Sequence, residues 1–438
     1  MVKKIFSIVM IILMLIGIYF GISITIKKEI PEIENKEKKN NIFSMVQQKS
    51  IQATKFYVYG RAFNIEGKID NISKDNLEGV KLVITNGLDY EKAYNLDYEF
   101  IENELVFSVK TDMNTGIILD KLEDSDYYIL LRLKVNNSAE PKYYSFTNNS
   151  EYDDITYYTV TKDGKNKKVL IHFTEEKNNN ISYNFLKIDL EESELPDDVY
   201  DIVIDAGHGG KDTGENISNI TEADIALEYS NILKKRLEEA GYKVKLTRDS
   251  QNSDDFTPNN MYDENGRISI ACKSKAKLMI SFHVNNGVQG LKGLEIYAPS
   301  KSNLDFAKSM ANKIKQYSSI NYSNNNSFKE YDGVYVRNFT KSIINDYAKT
   351  AKAKGYEPYN ITLDTPFLYT IREVGGIATN AYVDGRNKSY SKNEYYNSNQ
   401  GIECYQIELG YIKSDLDIIE NEKENYIRGI FEAIQENY

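Results

Sequence analysis

Residues 199–210 read VYDIVIDAGHGG, an apolar run that ends in a glycine-rich turn containing His208. A short apolar run bounded by glycine is typical of a buried strand. The stretch EADIALEYSNILKKRLEEAGYKVKLTRD, residues 222–249, then predicts a helix that stops at Gly241 and a second strand. A strand, a turn, a helix and a strand in this order indicate an α/β fold.

The rest of the C-terminal half repeats this alternation. The stretches KLMISFHVN, GLEIYAP and CYQIELGYI predict strands, and SNLDFAKSMANKIKQY and the final IIENEKENYIRGIFEAIQENY predict helices. Strands that alternate with helices predict a mostly parallel sheet flanked by helices on both faces. We therefore expect an α/β catalytic domain over residues 196–438.

Four side chains with metal-binding or catalytic chemistry fall at one edge of this predicted sheet. His208 follows the first strand, His283 ends the strand KLMISF, and Glu408 ends the strand CYQI. Open α/β sheets bind ligands outside the carboxyl ends of their strands, so these three residues should share one edge. Glu222 opens the helix that begins near the same edge, and spacing does not distinguish it from Asp224 as a ligand.

Two imidazoles and a carboxylate suit Zn²⁺, which in catalytic sites typically has three protein ligands and one open position. The chain contains only three histidines, and two of them lie at these strand ends. The alternatives are that His208 is a turn residue, that His283 is a core histidine and that the Glu222 carboxylate favours the helix dipole. Glu408 lies within an apolar strand, where an ionised carboxylate needs a reason such as a cation or a reacting water.

Five stretches occur in a recognisable order: VIDAGHGGKDTG, the helix that Glu222 opens, LMISFHVN, GLEIY and IELGYIKSDLD. Together they resemble the catalytic domain of zinc-dependent N-acetylmuramoyl-L-alanine amidases over about residues 199–438. The resemblance implies hydrolysis of the amide between N-acetylmuramic acid and L-alanine in peptidoglycan. It also implies that His208, Glu222 and His283 bind zinc and that Glu408 is the general acid and base. The resemblance thus favours Glu222 over Asp224 as the third ligand.

The chain departs from the family pattern at several positions. Val284 replaces the usual small residue after the strand-end histidine, although Asn285 remains. Asn285, Arg267 and Arg372 are candidate substrate-binding residues, and either arginine binds a peptide carboxylate or makes a structural ion pair. The segment 371–403 is longer than the pattern usually allows, and it is either a lid or groove wall or a passive surface excursion.

The N-terminus predicts export. Residues 5–26 are an uncharged run between lysines, about as long as the roughly 20 residues that a membrane-spanning helix requires. We expect residues 1–28 to form an N-terminal transmembrane helix that anchors the protein in the membrane, or a signal segment that is cleaved. Either outcome places the protein outside the cytoplasm, at the cell envelope. Residues 29–50 are polar and predict a solvated linker.

Residues 51–195 show short alternating runs separated by Asn, Asp and Gly. These predict an all-β, sandwich-like domain of antiparallel strands, with immunoglobulin-like folds as the model, and a hairpin turn at Asp163 and Gly164. No catalytic constellation occurs here, and we interpret His172 as a structural or surface histidine. The domain either docks to the wall or a partner or acts as a spacer.

Composition limits the partners. The formal net charge of −11 and a pI near 5.1 argue against nucleic acid, which requires clustered Lys and Arg. Peptidoglycan, the membrane and an unidentified regulatory protein are the expected partners. Cys272 and Cys404 are more readily two small buried hydrophobes than one disulfide.

Two other functions fit parts of the sequence. The metal ligands alone would also suit another zinc-dependent cell-wall peptidase. A non-catalytic wall-binding protein with a degenerate amidase domain is the alternative from a different class, although all four key residues are present.

Overall fold

The computed structural model describes residues 42–438 except 71, 73, 88–89, 102–103, 109–116, 124, 137, 149–152, 161–165, 251–265, 287–288, 301, 303, 356–360 and 376–399. The described chain forms a β region, residues 42–192, followed by an α/β region, residues 199–438. The hairpin turn predicted at Asp163 and Gly164 lies outside the described residues.

The β region consists of two sheets that share one hydrophobic core. Its elements are helix α1 (Ile42–Met45), 3-10 turns at Lys74–Asn76 and Leu119–Lys121, and strands β1 (Ile51–Tyr59), β2 (Ala62–Asp70), β3 (Leu77–Thr85), β4 (Glu91–Asn95), β5 (Asp97–Ile101), β6 (Glu104–Ser108), β7 (Ile117–Ile118), β8 (Tyr127–Val135), β9 (Lys142–Tyr144), β10 (Phe146–Thr147), β11 (Ile155–Val160), β12 (Asn166–Asn178) and β13 (Ile181–Glu192). One sheet has the order β10-β1-β2-β6-β5 and the other β11-β12-β13-β8-β3-β4. Phe56 of β1 and Leu131 of β8 bring both sheets into the same core.

The α/β region is built on one twisted sheet with helices on its two faces. Its strands are β14 (Ile202–Ala206), β15 (Asn216–Ile217), β16 (Ile220–Thr221), β17 (Val244–Leu246), β18 (Leu278–Asn285), β19 (Glu295–Tyr297), β20 (Lys329–Tyr331), β21 (Val334–Tyr335), β22 (Gln400–Gly401) and β23 (Glu403–Tyr411). Its helices are α2 (Glu222–Glu239), α3 (Arg267–Lys273), α4 (Leu304–Tyr317), α5 (Lys341–Lys354), α6 (Tyr369–Val374), α7 (Leu416–Asn421) and α8 (Lys423–Asn437). The main sheet runs β17-β14-β18-β23-β19-β21-β20.

Strand β23 lies at the centre of this sheet and is buried along its whole length. Successive side chains of a strand point to opposite faces. Tyr405, Ile407 and Leu409 therefore join the core beneath α2, α4 and α8, whereas Cys404 joins a second core with residues of α3 and α6. Gln406 and Glu408 lie on the face that α3 and α6 cover.

The main sheet is mixed, which corrects the prediction of a mostly parallel sheet only in part. Its parallel pairings join β17, β14, β18 and β23 in turn and also β19 with β21, but β19 is antiparallel to β23, and β20 is antiparallel to β21. Residues 286–294 connect β18 to β19, too few for the crossover of a dozen or more residues that a parallel return requires. The β region is not wholly antiparallel either, because β10 and β22 both pair with β1 in parallel.

The predicted fold class is also corrected on its transmembrane helix, which the described structure does not contain. Among the residues that the structure describes, no helix has both the length and the apolar composition to cross a membrane. The longest described helix, α2, has 18 residues and carries charged side chains on its outer face. Residues 5–26, on which the prediction rested, lie outside the described residues.

The two regions contact each other at the edge of the sheet opposite the strand ends that carry His208 and His283. Nζ of Lys277 lies 3.1 Å from the Thr159 hydroxyl and forms an ion pair of 3.4 Å with Asp120. The backbone of Gly60 donates to the carbonyl of Gly401 in β22. The end of the predicted insertion at Gln400–Gly401 is thus paired with the β region.

Candidate functional site

His208 lies in the turn after β14, where its backbone adopts a left-handed conformation with φ of 58°. This conformation is uncommon for a residue with a side chain, so surrounding contacts must maintain it. Nη2 of Arg267 donates to the His208 carbonyl at 2.8 Å, and Oδ2 of Asp212 lies 2.9 Å from the His208 Nδ1. The second contact fixes the ring and leaves its Nε2 to face Glu222.

Glu222 is the first residue of α2 and its carboxylate is buried. Its Oε1 lies 3.0 Å from Nε2 of His208 and 3.0 Å from Nδ1 of His283. Backbone N–H groups of Val284 and Glu215 donate to its two oxygens at 2.9 and 3.0 Å. The rival ligand Asp224 is exposed and contacts the helix-capping residue Thr221 instead.

His283 lies near the end of β18, with its ring centroid 5.0 Å from that of His208. Gly207 makes this approach possible, since a Cβ there would lie 2.5 Å from Cε1 of His283. The ligand atoms of His208, Glu222 and His283 lie within 4.8 Å of one another. The structure therefore brings together three side chains whose donors suit a single borderline cation.

Charge reinforces this cluster. Burial lowers the pKa of His208, but hydrogen bonds and charges from Glu222 and Asp212 outweigh that effect and raise it to about 9. Burial raises the pKa of Glu222, but hydrogen bonds from His208 and His283 outweigh it and hold that pKa well below its usual range. The ionised Glu222 carboxylate thus stabilises a positive charge on His208, and a cation that binds here displaces the His208 proton and takes over that charge.

Glu408 lies opposite His283 in the register between β23 and β18. Its side chain is 8% exposed, and Nε2 of Gln406 donates to its Oε1 at 2.8 Å. Burial raises the pKa of Glu408 to about 7; His283 opposes this rise, while the charges of Glu222 and Glu295 add to it. A carboxyl group with a pKa near neutral can both accept and donate a proton.

Two buried arginines support the loop of His208. Arg267 is 5% exposed and pairs with Asp205, which is fully buried. Arg248 donates to the carbonyls of Ala206, Gly207 and Ala223 at 2.8 to 2.9 Å, and so joins the His208 loop to the first turn of α2. The sequence interpretation missed Arg248, although its position just after β17 places it at the same edge of the sheet.

The candidate substrate-binding residues also make contacts within the fold. Nδ2 of Asn285 donates to Glu295 at 3.0 Å. Arg372 pairs with Glu373 at 2.8 Å and donates to the carbonyl of Phe367. The sequence left two roles open for Arg267 and Arg372, binding of a peptide carboxylate or a structural ion pair. The contacts of both arginines are structural ion pairs.

The remaining histidine and the cysteines lie outside this cluster. His172 contacts Asp189 at 2.7 Å in the β region. Cys272 and Cys404 are free thiols, and burial raises the pKa of Cys272 to about 12.

Comparison with known protein families identifies one match. The profile of the family described as N-acetylmuramoyl-L-alanine amidase matches residues 202–436. An endolysin of Bacillus phage SPP1 is 38% identical over 115 residues, which are 25% of this chain and 38% of that protein. The uncharacterized protein YqiI of Bacillus subtilis is 32% identical over 114 residues, 26% of this chain and 52% of that protein.

A third relative is the germination-specific N-acetylmuramoyl-L-alanine amidase of Bacillus subtilis, 31% identical over 90 residues, 19% of this chain and 38% of that protein. The chain spans about half or less of the length of these curated relatives. The family match begins at the first residue of β14 and ends within α8, so it contains every residue of the cluster and Glu408.

Proposed function

The chain belongs to the N-acetylmuramoyl-L-alanine amidase family, and from this premise we propose that it hydrolyses peptidoglycan. The bond cleaved is the amide between the lactyl group of N-acetylmuramic acid and the L-alanine of the stem peptide. The observation that carries the proposal is the convergence of His208, Glu222 and His283 within 4.8 Å inside the matched region. We assign this activity to the domain expected over residues 196–438.

We propose that these three residues bind Zn²⁺ through Nε2 of His208, a carboxylate oxygen of Glu222 and Nδ1 of His283. The donor set fits, since catalytic zinc is typically bound by imidazoles and a carboxylate with one position left open. Asp212 supports it further, because zinc-binding histidines usually hold a carboxylate or carbonyl with the other ring nitrogen. When bound, zinc would supply Lewis-acid activation of the scissile carbonyl and of the attacking water.

Glu408 acts as general base and then as general acid in this proposal. It takes a proton from the attacking water as the new C–O bond forms and returns it to the leaving amine as the C–N bond breaks. Burial supports the role, since it keeps the pKa of this carboxyl near 7, where both transfers are accessible at neutral pH.

The proposed substrate determines the cellular location of the activity. Peptidoglycan lies outside the cytoplasm, so the site acts in the cell envelope with peptidoglycan as its partner. Names of two relatives, an endolysin and an amidase, are consistent with this substrate.

Substitution of Glu408 by Gln tests the mechanism. Glu408→Gln preserves side-chain size but removes proton transfer, so we expect full zinc content with turnover on purified peptidoglycan reduced by roughly 100-fold or more. Near-normal turnover in a zinc-loaded Glu408→Gln protein would refute the assignment.

A further inference from the structure

Gln406 and Glu408 lie on the same face of β23, separated by one residue. Both are largely buried, with 7% and 8% of their surfaces exposed. Nε2 of Gln406 donates to Oε1 of Glu408 at 2.8 Å. Among the described residues, Gln406 is the hydrogen-bond donor to this carboxylate.

Thr370 fixes the orientation of the Gln406 amide. Its hydroxyl lies 3.3 Å from Oε1 of Gln406, and Thr370 is fully buried in α6. An amide that accepts from Thr370 through its oxygen must turn its NH₂ group toward Glu408. The three side chains form a chain from α6 to Glu408.

This chain fixes the plane of the Glu408 carboxylate. Each carboxylate oxygen can accept two hydrogen bonds, and Gln406 uses one of these sites, on Oε1. The other sites, including both on Oε2, are then held in fixed directions toward the water and the leaving amine. Without Gln406, a buried carboxylate would lose its partner and could rotate away from the position that proton transfer requires.

We infer that Gln406, held by Thr370, is a positioning residue that orients Glu408 for proton transfer. The inference rests on the proposed function. It connects the reactive carboxylate to α6, the helix at which the 371–403 segment begins. The packing of that helix therefore supports the chemistry at Glu408.

Steady-state kinetics of the zinc-loaded full chain on soluble peptidoglycan fragments test this inference. Gln406→Met keeps the shape of the side chain but removes the donor. Hydrogen bonds to charged groups contribute enough that kcat should fall roughly 10- to 100-fold, while KM and zinc content stay within about twofold. The acidic limb of the kcat/KM profile should move to higher pH, because the lost bond favoured the ionised form.

Thr370 supplies matched variants. Thr370→Val removes the hydroxyl at nearly constant shape and should lower kcat in the same direction by a smaller factor, whereas Thr370→Ser keeps the hydroxyl and should retain wild-type kcat. A Gln406→Met protein with wild-type kcat and an unmoved pH profile overturns the inference. The inference is also overturned if Gln406→Met loses activity together with zinc or thermal stability, and if Thr370→Val and Thr370→Ser have the same kcat.

Wild type and Glu408→Gln are measured in parallel to separate two failures. A zinc-loaded wild type that releases no product defeats the proposed function itself. An active wild type with an inactive Glu408→Gln and an unaffected Gln406→Met leaves the proposed function intact and defeats only the positioning role.

Discussion

Oε1 of Glu222 lies 3.0 Å from Nε2 of His208, which joins the first residue of a helix to the turn after a neighbouring strand. The same oxygen lies 3.0 Å from Nδ1 of His283. One buried carboxylate therefore contacts both imidazoles, whereas Asp224, two residues further along the helix, is exposed. Substitution of Glu222 and substitution of Asp224 should therefore affect zinc binding differently.

Glu222→Gln should abolish stoichiometric zinc binding, because it removes the anionic ligand without changing its size. Activity should fall by more than the roughly 10- to 100-fold typical of outer-shell substitutions. Asp224→Asn is the matched control and should keep zinc, with a stability cost of about 1 kcal/mol from weaker contact with the cap. Metal analysis after dialysis measures both, and zinc lost from Asp224→Asn but retained by Glu222→Gln would reverse the assignment.

Asp212→Ala should weaken zinc binding roughly 10- to 100-fold, because Asp212 holds the second ring nitrogen of His208. Asp189→Ala offers a control with the same chemistry, since Asp189 contacts His172 at 2.7 Å in the β region. Competition with a chromophoric chelator measures both affinities. Equal zinc affinities of Asp212→Ala and wild type would show that Asp212 does not support zinc binding by His208.

Gly207→Ala should destabilise the protein by about 1 to 3 kcal/mol and displace His283, as overpacking does in a close-packed interior. The added methyl would lie 2.5 Å from the His283 ring and from the carbonyl of Phe282. Gly79→Ala is the control, because a Cβ at Gly79 meets no atom within 4 Å. Denaturant unfolding and zinc content report the two effects, and a Gly207→Ala protein equal to Gly79→Ala in both would contradict this packing argument.

Arg267→Met should lower the free energy of unfolding by about 3 to 5 kcal/mol, because it leaves the buried Asp205 carboxylate without its cation. This result would separate the structural role of Arg267 from binding of a peptide carboxylate. Equilibrium denaturation and KM on peptidoglycan fragments measure the two roles. Unchanged stability with a raised KM would instead support substrate binding.

The convergence of His208, His283 and Glu408 was accessible from sequence because strand direction determines where each strand ends. The choice of Glu222 over Asp224 was not accessible from spacing, because both residues lie in the first turn of α2, and only the family resemblance favoured Glu222. In the structure the two residues differ in burial, since Glu222 is buried and Asp224 is exposed. Arg248 was missed for a related reason. Its partners are carbonyls of Ala206, Gly207 and Ala223, which come together only after β14, β17 and α2 have packed.

Strand direction itself was harder to predict for β19. The run GLEIYAP has the apolar composition of a buried strand in either direction, and the length of its connection to β18 was the available signal. Likewise, the pairing of Gln400–Gly401 with β1 joins residues far apart in sequence, which no local pattern encodes.

Mass spectrometry of purified peptidoglycan after digestion by the zinc-loaded protein identifies the bond that this protein cleaves. We expect stem peptides with a free amino group on L-alanine, together with glycan strands that retain intact lactyl groups. Peptides cut between amino acids, or sugars cut from one another while the stem peptides stay attached, would contradict this expectation.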